Sequence, residues 1–296
     1  MAVFNLGSIN IDHVYSVPHL PEPGETLAAT GYGIGLGGKG ANQSVAAARA
    51  GARVFHIGAI GPGSDWVLDA LRAYGVDTTH IRLITTPTGH AIINVDPAAE
   101  NAIVLYSGAN QQIADAQISH SLASAHPGDT LMLQNETSGA PSAARLAADM
   151  GLRVVYSAAP FDLAALRQVI AFAHLLLMNE GEALALKTAL GDLPSCDMVI
   201  TQGARGATFI SAASEPLFVP AFPAQAVDTT GAGDCFAGFL IAGLDLGLLM
   251  ASAMHRAAAA AALQVARPGA AQAMPDAAEV DALIAARSVP PQSDSK

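Results

Sequence analysis

Short apolar runs alternate with alanine-rich segments of helical character along most of the 296 residues. Helices are predicted at Ala41–Ala50, Ser64–Tyr74, Asp115–Ala125, Pro141–Met150, Glu180–Leu190, Ala232–Leu244, Ala251–Ala266 and Asp276–Ala286. Strands are predicted at Ala2–Leu6, Arg53–Ile57, Thr130–Leu133, Arg153–Tyr156, His174–Met178 and Met198–Thr201. Repeated alternation of strand and helix indicates βαβ units. We therefore expect an α/β fold of three layers, a mainly parallel sheet with helices on both faces.

Two stretches depart from this alternation, because strand-like segments follow one another in them with no helix between. They are Leu27–Ile34 and Thr88–Tyr106, and a hairpin turn is predicted at Asp96–Ala99 within the second. Strands joined by short turns pair locally. We therefore expect a small antiparallel lid beside the main sheet, with strands at about residues 12–34 and 88–106.

The C-terminal third adds one more strand-like run, Pro216–Val227, which is predicted to hold two short strands around Pro220 and Pro223. No linker rich in Gly or Ser divides the chain. Residues 1–287 are therefore expected to form a single domain, and residues 288–296 to form a disordered tail.

The composition argues against several classes of function. Acidic residues exceed basic ones by 25 to 14, and the resulting net charge of −11 argues against a nucleic-acid partner. The longest apolar stretch, Cys235–Met254, is interrupted by Asp245 and by three glycines, so it is interpreted as buried helix and not as a membrane span. The two cysteines and the lack of a secretion signal before the first strand predict a cytoplasmic protein.

A glycine-rich segment, Gly31–Gln43, leads into the first predicted helix. It is not a P-loop, because that motif needs Ser or Thr after its lysine and Gly40 follows Lys39. It contains a GxGxxG pattern, but a dinucleotide-binding fold would need an acidic residue at the end of the next strand, and residues 53–60 contain none. Two interpretations remain. The segment is a tight turn with an exposed lysine, or its backbone approaches a polar ligand while Lys39 and the amide of Asn42 donate to the ligand's oxygens.

A second segment of small residues, Asp228–Asp234, leads into a very apolar helix. Backbone N–H groups at such a helix start point outward and, with the helix dipole, form an anion site. Asp234 can be a first-turn acid that favours the dipole. It can instead accept a proton from a hydroxyl that attacks a phosphate held by the loop, which also accounts for the three small residues before it.

Together the two segments resemble the two signatures of the PfkB (ribokinase-like) family of carbohydrate kinases. The first signature is Gly37-Gly38-Lys39-Gly40-Ala41-Asn42-Gln43, and the second is Asp228-Thr229-Thr230-Gly231-Ala232-Gly233-Asp234. Their order and spacing match the family, and shorter segments extend the resemblance from about Val3 to Ile284. These segments are Gly7–Asp12, Pro23–Thr26, Ser107–Asn110, Met178–Glu182 and Thr201–Gly206.

The resemblance implies a ribokinase-like fold and transfer of the γ-phosphoryl group of ATP to a primary hydroxyl of a sugar. It implies that Asp234 is the catalytic base and that the amides of Gly231, Ala232 and Gly233 form the anion hole. D-ribose, giving ribose 5-phosphate, is the leading substrate, and another sugar or a nucleoside is the alternative. A Rossmann oxidoreductase and a sugar-binding homologue without catalysis are the hypotheses from other classes.

The resemblance also assigns the residues that bind sugar and nucleotide. Asp12, placed just after the first strand, is one of six sugar ligands. The full sugar set is Asn10, Asp12, Gly38, Lys39, Asn42 and Glu136. The nucleotide set is Asn179, Thr201, Gly203 and Gly206.

Two cations are implied as well. Asn179 and Glu182 act on magnesium, largely through water, although the same pair would also form a capping box at a helix start. A monovalent cation, taken to be potassium, is assigned to a loop in which Ala273 replaces a hydroxyl often found there. The ligands in that loop are Asp228, Thr230, Arg267 and Gly269. A homodimer formed through the lid is also expected.

Overall fold

The structure is a computed structural model that describes residues 1–98 and 100–288. The strands are Ala2–Leu6 (β1), Asn10–Ser16 (β2), Gly31–Gly37 (β3), Arg53–Ile60 (β4), Val76–Asp77 (β5), Ile81–Leu83 (β6), Gly89–Val95 (β7), Asn101–Tyr106 (β8), Thr130–Gln134 (β9), Arg153–Ser157 (β10), Leu175–Asn179 (β11), Asp197–Thr201 (β12), Gly206–Ser211 (β13) and Ser214–Pro220 (β14). The helices are Lys39–Arg49 (α1), Asp65–Ala73 (α2), Asp115–Leu122 (α3), Ala140–Asp149 (α4), Leu163–Val169 (α5), Glu180–Leu190 (α6), Ala232–Asp245 (α7), Met250–Val265 (α8) and Ala277–Ser288 (α9).

Ten strands form the main sheet, in the order β14-β13-β12-β11-β10-β9-β1-β4-β5, with β6 also paired to β4. Neighbouring strands are parallel from β12 to β5, whereas the β13–β14 hairpin is antiparallel at one edge. Helices α1, α2, α7, α8 and α9 pack on one face, and α3 to α6 pack on the other. The predicted α/β class with a mainly parallel sheet between two helical layers is confirmed.

The central strands are buried on both faces, so their sequences are nearly continuous apolar runs. All five residues of β1 and all five of β9 are buried. Within β1, Phe4 and Leu6 belong to one core and Val3 to the other, as the alternation of side chains along a strand requires. The polar exceptions, Asn5, Thr130 and Gln134, are fully buried near the ends of their strands.

Four strands form a second, small sheet in the order β3-β2-β7-β8. The β2–β3 and β7–β8 pairs are antiparallel, but β2 and β7 run parallel, so the prediction of a purely antiparallel lid is wrong at the middle of the sheet. The bounds differ too, because the first two strands span residues 10–16 and 31–37, with no strand in residues 17–30. Asp96 turns the β7–β8 hairpin by accepting hydrogen bonds from the amides of Ala98 and Glu100 at 2.8 and 3.0 Å. Ala99 lies outside the described residues.

Three further sequence predictions need correction. Helix α5 is not among the predicted helices, although Asp162 caps it by accepting hydrogen bonds from the amides of Ala164 and Ala165. Only one strand, β14, forms in the run Pro216–Val227. It pairs antiparallel with β13, and residues 221–227 contain no strand. Ser288 ends α9, and the rest of the predicted tail, residues 289–296, lies outside the described residues.

The long apolar stretch of the sequence is divided between two helices, since α7 ends at Asp245 and α8 begins at Met250. Gly247, with a φ of +84°, lies in the connection, where left-handed backbone favours glycine. In the part of the chain that the structure describes, no helix is both long and apolar enough to cross a membrane.

Small residues let α7 approach α1 closely. A Cβ atom added to Gly238 of α7 would lie 2.5 Å from the Cβ of Ala46 and 2.7 Å from the carbonyl oxygen of Gln43, both in α1. At the start of α1, a Cβ on Gly40 would lie 2.3 Å from the Cα of Gly7, just after β1. These contacts fix the position of α1 relative to both α7 and the central strand.

We predict that Gly238→Ala lowers the free energy of unfolding by about 1–3 kcal/mol, the usual cost of overpacking a close contact. The denaturation midpoint in urea measures this. Gly33→Ala is the matched control, because a Cβ at that strand position would meet no atom within 4 Å. Equal midpoints for the two variants would contradict the close packing of α1 and α7.

Candidate active site

Asp234 lies in the first turn of α7, and only 8% of its surface is exposed. Its Oδ2 accepts a hydrogen bond from Nδ2 of Asn42 at 3.0 Å, and its Oδ1 accepts one from Nε2 of Gln43 at 2.9 Å. Asn42 and Gln43 are consecutive residues of α1. The two glycine-containing signatures are therefore joined directly, and the carboxylate is held at both oxygens.

Burial raises the pKa of Asp234 to about 6, because desolvation disfavours the ionised form. The ammonium group of Lys39 and the hydrogen bonds from Asn42 and Gln43 act in the opposite direction. The result is a carboxyl group that titrates close to neutral pH, which suits a group that exchanges protons.

Gln43 is itself held by a chain of buried polar side chains. Nε2 of Gln134 donates to Oε1 of Gln43 at 2.7 Å and to Oδ1 of Asn5 at 2.9 Å. Nδ2 of Asn5 donates to Oγ of Ser44 at 2.8 Å, and Oγ of Ser44 lies 2.8 Å from Nδ1 of His56. Each of these buried side chains fixes the orientation of the next, although Oε1 of Gln134 is buried without a hydrogen-bond partner.

His56 sets the direction of this chain. Its Nε2 lies 3.0 Å from the carbonyl oxygen of Gly7, which can only accept, so Nε2 carries the proton. Complete burial lowers the pKa of His56 to about 4, so the ring is neutral at neutral pH. Nδ1 is then an acceptor and Ser44 donates to it. The orientation of each later side-chain amide then follows from the one before it, and the chain ends with Gln43 donating to Asp234.

The loop before α7 presents backbone amides next to Asp234. Gly231 has a φ of +80° and caps the helix start. Within the described residues the amides of Gly231 and Gly233 make no hydrogen bond, whereas the amide of Ala232 donates to the carbonyl oxygen of Thr229 at 3.2 Å. Two of the three predicted anion-hole donors are thus free for an anionic ligand.

The small sheet supplies two of the predicted sugar ligands. Asn10 and Asp12 lie in β2, so the expectation that Asp12 simply follows the first strand is wrong. Nδ2 of Asn110 donates to Oδ1 of Asn10 at 2.8 Å, and Oδ1 of Asn110 accepts from the amide of Ile9 at 2.9 Å. Asn110 therefore fixes the side-chain amide of Asn10.

Asp12 is packed against the backbone of the neighbouring strand. A Cβ on Gly37 would lie 2.1 Å from Oδ2 of Asp12, so only glycine leaves room for this carboxyl group. Desolvation, followed by repulsion from Glu136, raises the pKa of Asp12 to about 6. Within the described residues the carboxyl group of Asp12 makes no hydrogen bond, so its oxygens are open to a ligand.

Glu136 follows β9 and connects the first signature to the turn between β1 and β2. Its Oε2 accepts hydrogen bonds from Oγ of Ser8 and from the backbone amide of Lys39, the latter at 3.2 Å. Nζ of Lys39 lies 4.0 Å from Oε1 of Glu136. Gly38, with a φ of +91°, makes the turn into α1 that brings Lys39 here. All six predicted sugar ligands thus lie in one connected cluster around Lys39, Asp12 and Asp234.

Lys39 and Asp234 line a cleft of about 210 Å³ at the carboxyl ends of the parallel strands. Asn179, Glu182 and Thr201 line the same cleft, with the free amides of the α7 loop. This edge of an open α/β sheet is where ligands usually bind.

Asn179 and Glu182 form the capping box of α6. Oδ1 of Asn179 accepts from the amide of Glu182 at 2.9 Å, and the amide of Asn179 donates to Oε2 of Glu182 at 2.8 Å. Burial raises the pKa of Glu182, although its hydrogen bond and Lys39 oppose this. Oε1 of Glu182 makes no hydrogen bond within the described residues. A single free carboxylate oxygen fits a magnesium ion that keeps most of its water, as Mg²⁺ usually does beside phosphates.

A second pocket of about 400 Å³ adjoins the cleft and shares Thr201, Thr229, Ala232, Gly233 and Phe236 with it. Gly203 and Gly206, two predicted nucleotide residues, lie in its lining. The rest of the wall is mostly apolar and suits the faces of a planar heterocycle. It consists of Ala204, Ala221, Phe222, Pro223, Ala224, Ala226, Ala258, Ala261, Ala262 and Val265.

The predicted monovalent-cation loop lies behind the anion-binding amides. Oδ1 and Oδ2 of Asp228 accept hydrogen bonds from the amides of Thr230 and Gly269, both at 2.9 Å. Burial alone would raise the pKa of Asp228, but these hydrogen bonds lower it. Arg267 directs its guanidinium group to Glu279.

The residues of this loop do not fit a potassium ion. Nε2 of Gln264 donates to the carbonyl oxygens of Thr230 and Gly269 at 2.6 and 3.1 Å. An alkali cation bound to both oxygens would need the space that this amide nitrogen fills. The potassium site stays a prediction from the family resemblance, and these two hydrogen bonds argue against it.

Several residues of the site are absent from the sequence prediction. Gln43 is part of the first signature, but nothing in its spacing shows that it contacts Asp234. Asn110 and Gln264 act through contacts 100 and 34 residues away along the chain. Only the fold brings such partners together. The apolar wall of the second pocket was not predicted, because part of it is an irregular run of prolines and alanines in the sequence.

Comparison with known proteins identifies the family. The model of the "pfkB family carbohydrate kinase" matches residues 2–277. The chain belongs to this family of carbohydrate kinases. The family resemblance inferred from the two signatures is confirmed.

Individual relatives agree with the family. The chain is 38% identical over 289 residues to a ribokinase of Haemophilus influenzae, covering 91% of this chain and 94% of that protein. It is similar to the crystal structure of a ribokinase from Cryptococcus neoformans var. grubii in complex with ADP, with a TM-score of 0.83, 32% identity and coverage of 95% and 98%. It is also similar to Arabidopsis thaliana ribokinase complexed with ribose and ATP, with a TM-score of 0.85, 26% identity and coverage of 96% and 99%.

The raised pKa of Asp234 predicts a pH-dependent effect on stability. The folded state binds this proton more tightly than the unfolded chain, where the pKa is near 3.8, so the wild-type protein loses stability as the pH rises from about 4 through 6. Asp234→Asn cannot titrate. Its free energy of unfolding should therefore rise relative to wild type by about 2–3 kcal/mol between pH 4 and pH 7.

Urea denaturation at several pH values measures this difference. Asp228→Asn is the control, since the pKa of Asp228 is lowered and its carboxyl group stays ionised over most of the interval. The difference in free energy of unfolding between Asp228→Asn and wild type should change little with pH. A flat difference for Asp234→Asn as well would contradict the desolvated state of Asp234.

Proposed function

We propose that this protein is an ATP-dependent ribose kinase that converts D-ribose to ribose 5-phosphate. The observation that carries the proposal is the position of Asp234. Its carboxylate is held by Asn42 and Gln43, lies beside the free amides of Gly231 and Gly233, and is connected through Asn42 and Lys39 to the polar sugar cluster. The ribokinase relatives, one with ribose and ATP and one with ADP, support the choice of ribose and ATP.

The geometry supports an in-line transfer of the phosphoryl group. Asn10, Asp12 and Glu136 offer oxygens and amide hydrogens to the sugar hydroxyls, and Lys39 donates from its ammonium group. The primary hydroxyl attacks the γ-phosphorus, its proton passes to a carboxylate oxygen of Asp234, and the bond from phosphorus to the oxygen of ADP breaks. The amides of Gly231 and Gly233 donate to the oxygens on which negative charge develops, in a site fixed before the reaction.

The phosphates require further cationic compensation. Magnesium, when bound with the nucleotide, neutralises charge on the transferred group. Glu182 would hold it through water by the free oxygen Oε1, and Asn179 would act mainly by capping α6 and so fixing Glu182. Thr201, Gly203 and Gly206 would contact the nucleotide, with its base in the apolar pocket.

Residues 1–287 would act as one catalytic unit. Asn10 and Asp12 lie in the small sheet, whereas Asp234 lies in α7, which packs on the main sheet. The small sheet would act as a lid on the sugar. The protein would work in the cytoplasm, in keeping with its use of ATP and with its two free cysteines, Cys196 and Cys235.

A substrate panel tests the proposal. ADP release is measured with ribose, 2-deoxyribose, fructose, adenosine and inosine, and ribose should give the highest kcat/KM. Another sugar or a nucleoside with a clearly higher kcat/KM would overturn the choice of ribose and leave the kinase activity standing. No ADP release with any of them would overturn the kinase itself.

Asp234→Asn serves as the matched variant in the same assay. Its kcat should fall by about 10²–10⁴, the range for a general base, while the dissociation constant for ribose stays close to that of wild type. Calorimetric titration with ribose checks the second point. A folded Asp234→Asn protein with near-normal turnover would remove Asp234 from the role of base.

We also propose that the protein forms a homodimer through the small sheet. Ile34 and Val104, on the two edge strands, lie in one row across the sheet with His13 and Ile92 between them. Ile34 is 55% exposed and Val104 67%. Tyr32 and Tyr106 extend this apolar face. An exposed apolar surface of this kind is typical of a protein interface.

Sedimentation velocity tests the interface. Val104→Lys should convert a dimer to a monomer, since it would bury an unpaired charge in the apolar interface. Leu184→Lys is the control, because Leu184 is equally exposed, at 67%, but lies on α6 away from the small sheet. A wild-type monomer, or an unchanged Val104→Lys dimer, would contradict the proposal.

A further inference from the structure

Gln264 is a fully buried residue of α8 that ties together two loops. Its Nε2 donates to the carbonyl oxygen of Thr230, in the loop before α7, at 2.6 Å. The same nitrogen donates to the carbonyl oxygen of Gly269, in the loop after α8, at 3.1 Å. Both carbonyl groups belong to the set that the family resemblance assigns to a monovalent cation.

The orientation of the amide follows from its surroundings. If the Gln264 amide were turned over, Oε1 would face the carbonyl oxygens of Thr230 and Gly269, and three acceptors would meet with no proton between them. In the orientation present, Oε1 is buried without a hydrogen-bond partner. The two bonds made by Nε2 therefore decide the orientation, although one polar atom is left unsatisfied.

We propose that the side-chain amide of Gln264 replaces the monovalent cation, so that the anion-binding loop is ordered without potassium. The amide group carries two hydrogens, one for each carbonyl oxygen. It joins the same two loops that a bound cation would join. The side chain of Ala273 is buried and has no oxygen to offer a cation.

The link from Gln264 to the reaction runs through one peptide group. The carbonyl of Thr230 and the amide of Gly231 belong to the same planar trans peptide, so they point in opposite directions. By holding the carbonyl of Thr230, Gln264 turns the N–H of Gly231 away from α8. That N–H makes no hydrogen bond within the described residues and lines the cleft beside Asp234.

Asp228 completes the arrangement from the other side. It accepts hydrogen bonds from the amides of Thr230 and Gly269 and so joins the same two loops. The loops are therefore tied by a carboxylate to their amides and by Gln264 to their carbonyl groups. Gln264 is a positioning residue, because it touches neither substrate and acts through the peptide of Thr230 and Gly231.

The experiment compares salts, and its kinetic part rests on the proposed kinase function. Wild-type protein is assayed for ADP release in potassium, sodium and tetramethylammonium chloride at equal ionic strength, with the sugar that the panel selects. The three rates should agree. Gln264→Ala should lose activity in tetramethylammonium by about 10²-fold, the scale of one misplaced anion-hole donor, and potassium should restore much of it.

Thermal unfolding gives a readout that does not depend on activity. Potassium should raise the Tm of Gln264→Ala above its value in tetramethylammonium, because an ion that binds only the folded state stabilises it. The Tm of wild type should be the same in both salts. Gln264→Met is the second variant, since its side chain fills the space without donating. Its rate of ADP release should be low in every salt, and potassium should not raise its Tm.

A wild-type rate or Tm that depends on potassium would overturn the proposal. So would a Gln264→Ala protein that behaves like wild type in all three salts. If no sugar is phosphorylated, the kinase function fails, but the Tm comparison still decides the role of Gln264. If Gln264→Ala does not fold, the wild-type comparison and Gln264→Met still decide it.

Discussion

The carboxylate of Asp234 is buried where α7 meets α1, and it takes its hydrogen bonds from two consecutive side chains of α1. This single contact requires both helix starts to lie at the same edge of the sheet and both helices to pack closely. Gly238 and Gly40 provide that closeness, the first between the helices and the second between α1 and the turn after β1. The site therefore depends on backbone-to-backbone packing more than on any one ligand-binding side chain.

Burying Asp234 in this way lowers the stability of the folded protein when the carboxyl group is ionised, as its raised pKa indicates. The buried chain from His56 to Gln43 offsets part of that cost, because every member is oriented by the one before it and no donor faces a donor. A neutral His56 gives the hydroxyl of Ser44 its acceptor. If the ring were protonated, Nδ1 would become a donor and Ser44 would lose that acceptor, whereas the amide of Asn5 would stay oriented by the carbonyl oxygen of Gly40.

The main sheet and its helices are predicted well from the sequence, because central strands and amphipathic helices leave strong local patterns. All eight predicted helices are present, as are the two signatures at helix starts. The small sheet is less well predicted, since its strands pair with partners distant in sequence and β2–β7 is parallel. The positions of Gln43 and Gln264 could not be predicted, because a buried amide bonds to whatever the fold places beside it.

The contrast between Asp228 and Asp234 shows how the fold gives two acids of one signature different properties. Asp228 is bonded by two backbone amides of a fixed loop, and its pKa is lowered, so it serves as a permanent anion. Asp234 is bonded by two side-chain amides in a desolvated position, and its pKa is raised towards neutrality. The first acid maintains the geometry of the loop, and the second can take up and release a proton. The five residues of chain between them are enough to separate a structural carboxylate from a reactive one.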